Sequence, residues 1–171
     1  ATPASLQGWS RDWSHRISIT NGKLCALSVT PDPGCCIEGV VLSLGENELI
    51  EMDRREIGYE RVPVTVQTLG PGTGSSLDCA AYVGLPAFHG PATVEYPIWR
   101  SYLDCVMAGY IELGGPEAAE RFVTSTRGWP APILNDRRSP KYPRAVRLTQ
   151  KMQEIVDDIL RTHRLLEMLF S

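Results

Sequence analysis

The first half of the chain alternates apolar and polar residues in the manner of β-strands. Two runs rich in apolar and β-branched residues, RISIT and KLCALSV, flank Asn21-Gly22, which is the strongest short-range signal for a β-hairpin. The stretch TPDPG, residues 30–34, then predicts a turn. The run CCIEGVVLSL predicts a further strand, and its interior Gly39 favours a bulge or a close backbone approach.

The pattern changes briefly at GENELIEMDRRE, which predicts a short helix because Leu49 and Met52 can share one of its faces. A half-buried strand is predicted next, since valines alternate with other residues at Val62, Val64 and Val66. Residues 70–76, GPGTGSS, predict a flexible loop that lacks the Gly-Lys-Ser/Thr ending of a phosphate loop. The stretch LDCAAYVG predicts the strand that follows it.

Apolar residues in the second half recur at helical spacing. The stretch YPIWRSYLDCVMAGYIEL predicts one helix, with these residues on a shared face: Ile98, Tyr102, Cys105, Val106 and Gly109. Pro116, near the start of GPEAAERFVTST, predicts a second helix. The stretch RAVRLTQKMQEIVDDILRTHRLLEMLF predicts a long amphipathic helix, with an apolar stripe of Leu148, Met152, Ile155, Ile159, Leu166 and Leu169. Because strands come first and helices last, the predicted fold class is α+β.

Composition narrows the function classes. The chain has 171 residues, which suits a single domain spanning residues 1–171, and 43% of them are hydrophobic. Lys and Arg total 17 against 20 for Asp and Glu, a formal charge of −3, so we expect no nucleic-acid partner. No apolar run reaches the roughly 20 residues of a membrane-spanning helix, so we expect no membrane partner. Oligomeric state stays open, because LLEMLF covers either the domain's own core or a partner.

The cysteines and histidines indicate in which cellular compartment the protein lies and whether it binds a metal ion. Five cysteines, two of them adjacent, do not form an even disulfide framework, so the prediction is a reducing, cytoplasmic location. Neither the cysteines nor the histidines have the spacing of metal ligands, and we therefore expect no metal site. The histidines are interpreted as surface or core residues: His15, His89 and His163.

The most informative stretch surrounds Tyr59, just before the valine-rich strand. Five charged residues crowd there: Asp53, Arg54, Arg55, Glu56 and Glu60. One interpretation is a solvated helix end at which these charges pair with one another. The other is an acid/base site, because Gly58 permits a tight reversal that turns the Glu56 carboxylate inward, into an apolar pocket that favours general acid/base chemistry. The residues alone favour the solvated end, since charge clusters are more often surface than site.

A second charge run lies in residues 136–144, DRRSPKYPR. It contains Arg137, Arg138, Lys141 and Arg144. This run either binds an anionic substrate tail or forms a solvated loop, and the solvated loop is the default interpretation. Helical spacing by itself places Tyr102 in the core of the domain.

Several stretches carry a resemblance to a known family. MDRREIGYERVPVTV is similar to a pattern, Leu-Asp-x-x-Glu-Gly…Tyr before a Val-rich strand, that is typical of the γ-glutamylcyclotransferase family. SLQGWSRDW, CCIEGVVLSL and SYLDCVMAGYIELGG resemble further motifs of that family, and STRGWPAPILNDRRSPKYPR resembles the tail of a bacterial branch. The order and spacing of these stretches extend the resemblance over nearly the whole chain. One departure is that Ile57 follows the glutamate directly, so the family's glycine comes one position later, at Gly58.

The resemblance implies a small barrel-like mixed sheet with flanking helices. It also implies a γ-glutamyl cyclotransferase that needs no cofactor and releases 5-oxoproline and an amine or amino acid from a small γ-glutamyl compound. Glu56 corresponds to the family's catalytic glutamate, and Tyr59 and Tyr102 correspond to tyrosines near the substrate. Both reacting groups lie in one molecule, so such an enzyme mainly holds the bent conformer and moves one proton.

The family also begins with a strand that ends in Tyr-Gly-Ser-Asn/Leu, whose backbone N–H groups cradle the substrate carboxylate. The sequence starts at Ala1 and does not contain this motif before SLQGW. We expect the amino-terminal strand and glycine loop to precede Ala1 in the intact protein. If the cradle has been lost, the alternative is a non-catalytic small-molecule-binding or regulatory module on the same fold.

Overall fold

The computed structural model describes residues 1–70 and 74–171, so the predicted loop at 70–76 lies partly outside the described residues. The strands are β1 (Thr2–Ile19), β2 (Gly22–Val41), β3 (Tyr59–Thr68), β4 (Ser76–Gly84), β5 (Ile98–Trp99), β6 (Thr126–Arg127), β7 (Ile133–Leu134) and β8 (Leu169–Phe170). The α-helices are α1 (Glu46–Arg55), α2 (Arg100–Ser125) and α3 (Gln150–Thr162). Strands dominate the first half and helices the second, as the α+β prediction requires.

β1 and β2 form one long antiparallel hairpin that turns next to Asn21, as the Asn-Gly signal predicts. The register shifts between Gln7 and Trp9, and residues 32–35 of β2 bulge out of the ladder. The predicted turn TPDPG is therefore a bulge within a continuous strand, because the long partner strand pairs on both sides of it. At Gly39 the pairing is regular, so the bulge expected there is not observed.

The main sheet has the strand order β2-β1-β3-β4, with β6 added parallel to β1. β3 and β4 pair antiparallel from Tyr59 opposite Gly84 to Gln67 opposite Ser76. In the described part of the chain no ladder joins the edge strands β2 and β4, so the barrel-like sheet is not closed by backbone pairing. The two edges approach each other where the Ser28 hydroxyl accepts a hydrogen bond from Gly84 N–H at 3.0 Å.

α2 combines the two helices that the sequence predicts separately. Gly114 and Gly115 leave helical geometry, and Gly115 has a φ of 74°, so the helix breaks there. Pro116 then begins the second half, where its missing N–H costs no helical hydrogen bond. The two halves are thus the predicted helices, joined at a glycine kink.

α3 is shorter than the predicted carboxy-terminal helix. It begins after Thr149, whose side chain accepts a hydrogen bond from Met152 N–H, and it ends at Thr162. Arg164 adopts a φ of 58°, which ends helical propagation, and β8 then pairs in parallel with β7. The prediction was wrong at both ends because apolar spacing does not reveal that the last residues have a strand partner.

The core lies between the β1–β2 hairpin and helices α2 and α3. Its largest fully buried side chains include Trp13, Trp99, Phe122, Leu103 and Leu160. A buried ion network joins the helices and the segment before α3: Arg100, Asp104, Arg137 and Asp157. Arg137 from the second charge run is therefore a structural residue that pairs with the buried Asp104 and the partly exposed Asp157.

No helix in the described residues is long and apolar enough to cross a membrane.

Candidate active site

Glu56 lies at the carboxy-terminal end of α1, directly before a tight reversal into β3. Its backbone N–H donates to Met52 O at 3.1 Å, and its carbonyl accepts from Tyr59 N–H at 3.2 Å. Gly58 has a φ of 78°, a conformation that L side chains rarely adopt, so the reversal depends on glycine. The half-buried Glu56 side chain is thus positioned by a short helix on one side and a strand on the other.

The charges around Glu56 divide into two groups. Asp53 accepts a hydrogen bond from the Tyr82 hydroxyl and forms an ion pair with Arg61. Arg54 forms an ion pair with Glu51. Within residues 1–70 and 74–171, in contrast, no hydrogen bond or ion pair engages the Glu56 carboxylate. The interpretation as a solvated, mutually paired helix end therefore fits Asp53 and Arg54, whereas Glu56 keeps its carboxylate free for another partner.

His15 supports the reversal from beneath. It is 1% exposed, and its ring lies against Tyr59 with 3.7 Å between ring centroids. Its Nε2 lies 3.0 Å from Ile57 O, and because a carbonyl only accepts, this nitrogen carries the proton. Burial lowers the pKa of His15, which keeps the ring neutral. The sequence carried no motif for this role, since only the fold brings β1 beneath the turn.

Tyr59 and Tyr102 meet at one backbone residue of β2. The Tyr59 hydroxyl donates to Leu27 O at 2.5 Å, and Leu27 N–H donates to the Tyr102 hydroxyl at 3.5 Å. Burial raises the pKa of both tyrosines, and the charge of Glu56 raises each further. The three residues that the family resemblance singles out are therefore brought together in one site.

The segment before α3, for which the sequence favours a solvated loop, also contributes residues to this site. Tyr142 packs against Tyr102 with 4.9 Å between ring centroids. Arg144 donates to the Tyr142 hydroxyl through Nη2 at 3.1 Å and lies over its ring. Partial burial lowers the pKa of Arg144, but its bond to Tyr142 and the charge of Glu56 raise it overall. The Arg144 guanidinium and the free Glu56 carboxylate thus lie near the same tyrosines.

A large cavity lies beside this site. It has a volume of about 680 Å³ and is bounded by β2, α1, β3 and β4. Its lining is mainly apolar and includes Leu42, Leu49, Met52, Val64 and Leu77. The predicted shared face of α1, formed by Leu49 and Met52, is therefore turned toward this cavity. Glu56 follows Met52 by one helical turn but does not line the cavity.

Among the described residues, no group of three or more His, Cys, Asp and Glu side chains could hold a metal ion.

Comparison with known structures defines the fold class. The structure is similar to a solved protein named gamma-glutamyl cyclotransferase, with a TM-score of 0.60 and 19% identity over 92% of this chain and 84% of that one. It is also similar to an uncharacterized protein from Homo sapiens, with a TM-score of 0.59 and 18% identity over 92% and 83% of the two chains. At this identity both likenesses show the fold, which is that of γ-glutamyl cyclotransferases.

Residues 2–101 match the family described as Gamma-glutamyl cyclotransferase, AIG2-like. The chain belongs to this family, and the resemblance drawn from MDRREIGYERVPVTV and its companion stretches is confirmed. The match includes Glu56 and Tyr59 and ends one residue before Tyr102. No curated protein sequence matches this chain.

Proposed function

We propose that this protein is a γ-glutamyl cyclotransferase that acts on a small γ-glutamyl compound. The α-amine nitrogen of the γ-glutamyl group attacks its own γ-carbonyl carbon, and the bond from that carbon to the leaving nitrogen breaks. The products are 5-oxoproline and an amine or amino acid. The observation that supports this proposal most directly is the unpaired Glu56 carboxylate beside two half-buried tyrosines, Tyr59 and Tyr102.

Glu56 is proposed as the acid/base group. It takes a proton from the substrate ammonium, which frees the attacking amine, and it returns a proton to the departing nitrogen. A single carboxylate serves both steps, because the two nitrogens lie close together on the same carbonyl carbon in the cyclising conformer. No hydrogen bond or ion pair in the described residues engages the Glu56 oxygens, so they are available to the ammonium.

The two tyrosines have different proposed parts. Tyr59 already donates its single hydroxyl proton to Leu27 O, so it orders the wall beneath the substrate. Tyr102 accepts a hydrogen bond from Leu27 N–H and keeps its own proton free for another acceptor. We therefore assign Tyr102 as a hydrogen-bond donor to a substrate oxygen, and Tyr59 as the residue that positions Leu27 and the turn.

Arg144 is proposed to bind the α-carboxylate of the γ-glutamyl group. Its guanidinium lies over Tyr142, and it has no ion-pair partner in the described part of the chain. A planar guanidinium recognises a carboxylate with two parallel hydrogen bonds, which orients the substrate as well as attracting it. The free carboxylate of Glu56 and the free cation of Arg144 then match the ammonium and carboxylate of a zwitterionic substrate.

The first experiment measures 5-oxoproline release from a panel of γ-glutamyl amino acids, glutathione and γ-glutamyl amines. Wild type is compared with Glu56→Gln, and with Glu60→Gln as a matched control on an exposed carboxylate of the same stretch. We expect Glu56→Gln to lose at least about 10²-fold in kcat, as for a lost general acid/base, and Glu60→Gln to stay near wild type. Equal activity of Glu56→Gln and wild type would remove Glu56 from the mechanism.

One observation favours a second candidate, a non-catalytic binding module. The cavity of about 680 Å³ is mainly apolar, and Glu56 does not line it. A binding module would use this cavity for the apolar part of a small γ-glutamyl ligand. Its signature is a γ-glutamyl ligand that raises the melting temperature of the protein while no member of the panel yields 5-oxoproline.

The cysteines bear on where the protein acts. All five are free thiols: Cys25, Cys35, Cys36, Cys79 and Cys105. Free thiols persist in reducing compartments, and we therefore propose a cytoplasmic location. Fractionation of the cells of origin, with detection of the native protein, tests this assignment.

A further inference from the structure

A second cavity of about 420 Å³ lies on the other side of the turn that follows Glu56. It is lined by Arg16, Ser18, Ile57, Ala87, Phe88, His89 and Tyr96. This volume is within the range of about 300–1,000 Å³ that is usual for small-molecule sites. Unlike the large apolar cavity, it includes polar side chains from β1 and from the segment after β4 beside the apolar Ile57, Ala87 and Phe88. None of these residues has a part in the proposed reaction.

Arg16 is the charged group of this cavity, and its guanidinium is held in place. Nε donates to Pro91 O at 2.7 Å, and the guanidinium carbon lies 5.6 Å from the centre of the Tyr96 ring. Gly90 leaves the space in which the guanidinium sits, because a Cβ there would lie 2.7 Å from Arg16 Nε. The backbone and one aromatic ring therefore fix the orientation of a half-buried cation.

The hydrogen-bonding capacity of Arg16 is largely unused. Its two terminal NH₂ groups have no hydrogen-bond acceptor and no ion-pair partner within residues 1–70 and 74–171. A guanidinium has five N–H donors, and only the Nε–H is engaged. A fixed fork of free donors that faces a cavity is the arrangement with which proteins bind carboxylates and phosphates.

The surrounding charges favour an anion. Lys23 lies over the same Tyr96 ring, but it is paired with Glu95 at 2.5 Å, so this pair adds no net charge. Ser18 and His89 add side chains that can donate hydrogen bonds. The bond to Lys23 and, to a smaller extent, the charge of Arg16 lower the pKa of Glu95, but in the described residues the Glu95 carboxylate forms an ion pair only with Lys23. Arg16 is therefore the cation of this cavity whose terminal NH₂ groups have no acceptor in that part of the chain.

We propose that the cavity around Arg16 is an anion site that takes the carboxylate or phosphate group of a small molecule. The lining of the site does not include Glu56, Tyr59 or Tyr102, and only the first of the two sources named next rests on the proposed reaction. Two sources can supply such a group. One is the carboxylate of an amino-acid leaving group, since Ile57 joins this cavity to the turn that carries Glu56. The other is a free anion that binds independently of the substrate.

Calorimetric titration of the full chain with inorganic phosphate and with N-acetylglycine, at constant ionic strength, tests the site directly. We expect saturable binding of at least one probe, weakened by at least about tenfold in Arg16→Gln, as expected for the loss of charged hydrogen bonds. Arg138→Gln is the matched control, because Arg138 is an exposed arginine that does not line the cavity, and this variant should bind like wild type. Arg16→Lys keeps the charge but lacks the fork, and it should bind more weakly than wild type.

A kinetic comparison separates the two sources. If the carboxylate belongs to the leaving group, Arg16→Gln lowers the ratio of kcat/KM for a γ-glutamyl amino acid to that for a γ-glutamyl alkylamide by about tenfold or more. If the ratio is unchanged while phosphate binding is lost, the occupant is a free anion. Absence of saturable binding of both probes to wild type, or an equal loss in Arg138→Gln, overturns the anion site whatever the activity of the protein.

Discussion

The hydroxyl groups of Tyr59 and Tyr102 are linked through a single residue, because one donates to the carbonyl of Leu27 and the other accepts from its N–H. Tyr59 comes from the start of β3 and Tyr102 from the first turn of α2. The backbone of β2 therefore sets the separation of the two rings. The charge of Glu56 contributes to the raised pKa of both tyrosines, so the pair linked through Leu27 lies at the centre of the candidate site.

This geometry predicts unequal effects of removing the two hydroxyls. Tyr102→Phe loses the free donor and should lower kcat/KM for the preferred γ-glutamyl compound by about tenfold or more, as for a lost hydrogen bond to a substrate oxygen. Tyr59→Phe should have the smaller kinetic effect, but it leaves Leu27 O without its partner and should reduce the free energy of unfolding by about 1 kcal/mol. Steady-state kinetics and urea unfolding of both variants give the two quantities. A larger kinetic loss in Tyr59→Phe would reverse the assignment.

Arg144 predicts a binding effect with little change in the chemical step. Arg144→Gln should raise KM by about tenfold or more and change kcat less, because the guanidinium orients the substrate carboxylate and takes no proton. Arg138→Gln, from the same charge run, is the control and should match wild type, since Arg138 is exposed. If both variants raise KM equally, a general attraction by the charge run explains the effect and a specific contact does not.

His15 predicts a stability change with pH. Burial lowers its pKa from the ordinary 6.5, so the folded state binds the proton less readily than the unfolded chain. The contribution of neutral His15 to the free energy of unfolding is therefore fully present above about pH 6.5. This contribution is lost as the pH falls through the folded-state pKa of His15. Urea unfolding at several pH values should show this decline in wild type, whereas His15→Gln should lack it.

The exposed His89 provides the control for that measurement, because His89→Gln should keep the decline below about pH 6.5. A decline of equal size in wild type and His15→Gln would assign the effect to other groups.

Gly58 predicts a coupled loss of stability and activity. Gly58→Ala places a Cβ 2.8 Å from the Phe88 ring and 3.0 Å from His15 Cε1, at a residue whose φ is 78°. The left-handed conformation alone costs about 1–2 kcal/mol for a residue with a side chain, and the contact adds to it. Because the same turn positions Glu56, the rate of 5-oxoproline release should fall as well.

Gly39→Ala is the matched control for Gly58→Ala, because a Cβ at Gly39 meets no atom within 4 Å. It should leave the unfolding free energy within about 0.5 kcal/mol of wild type, as for most surface substitutions. A Gly58→Ala protein as stable and active as Gly39→Ala would show that the reversal tolerates another geometry.

Local pattern determined much of this fold. Three elements depend mainly on residues that are neighbours in sequence: the hairpin at Asn21-Gly22, the short helix that carries Leu49 and Met52, and the valine-rich strand. Their turn residues and hydrophobic periods can therefore be recognised in the sequence. The candidate carboxylate could be named for the same reason: it lies between a helix end and a glycine, within a recognisable order of motifs. The family assignment that follows from those motifs is confirmed by the match over residues 2–101.

Tertiary structure decided the roles of residues that the hydrophobic and charge pattern does not distinguish. Arg137 and Arg144 belong to one charge run, yet Arg137 pairs with acids of α2 and α3, whereas Arg144 donates to the Tyr142 hydroxyl. His15 has no motif, and its place under Ile57 arises only because β1 passes beneath the turn. The predicted carboxy-terminal helix ends early because Leu169 and Phe170 pair with β7. Each of these outcomes depends on partners far away in sequence, and hydrophobic spacing carries no information about such partners.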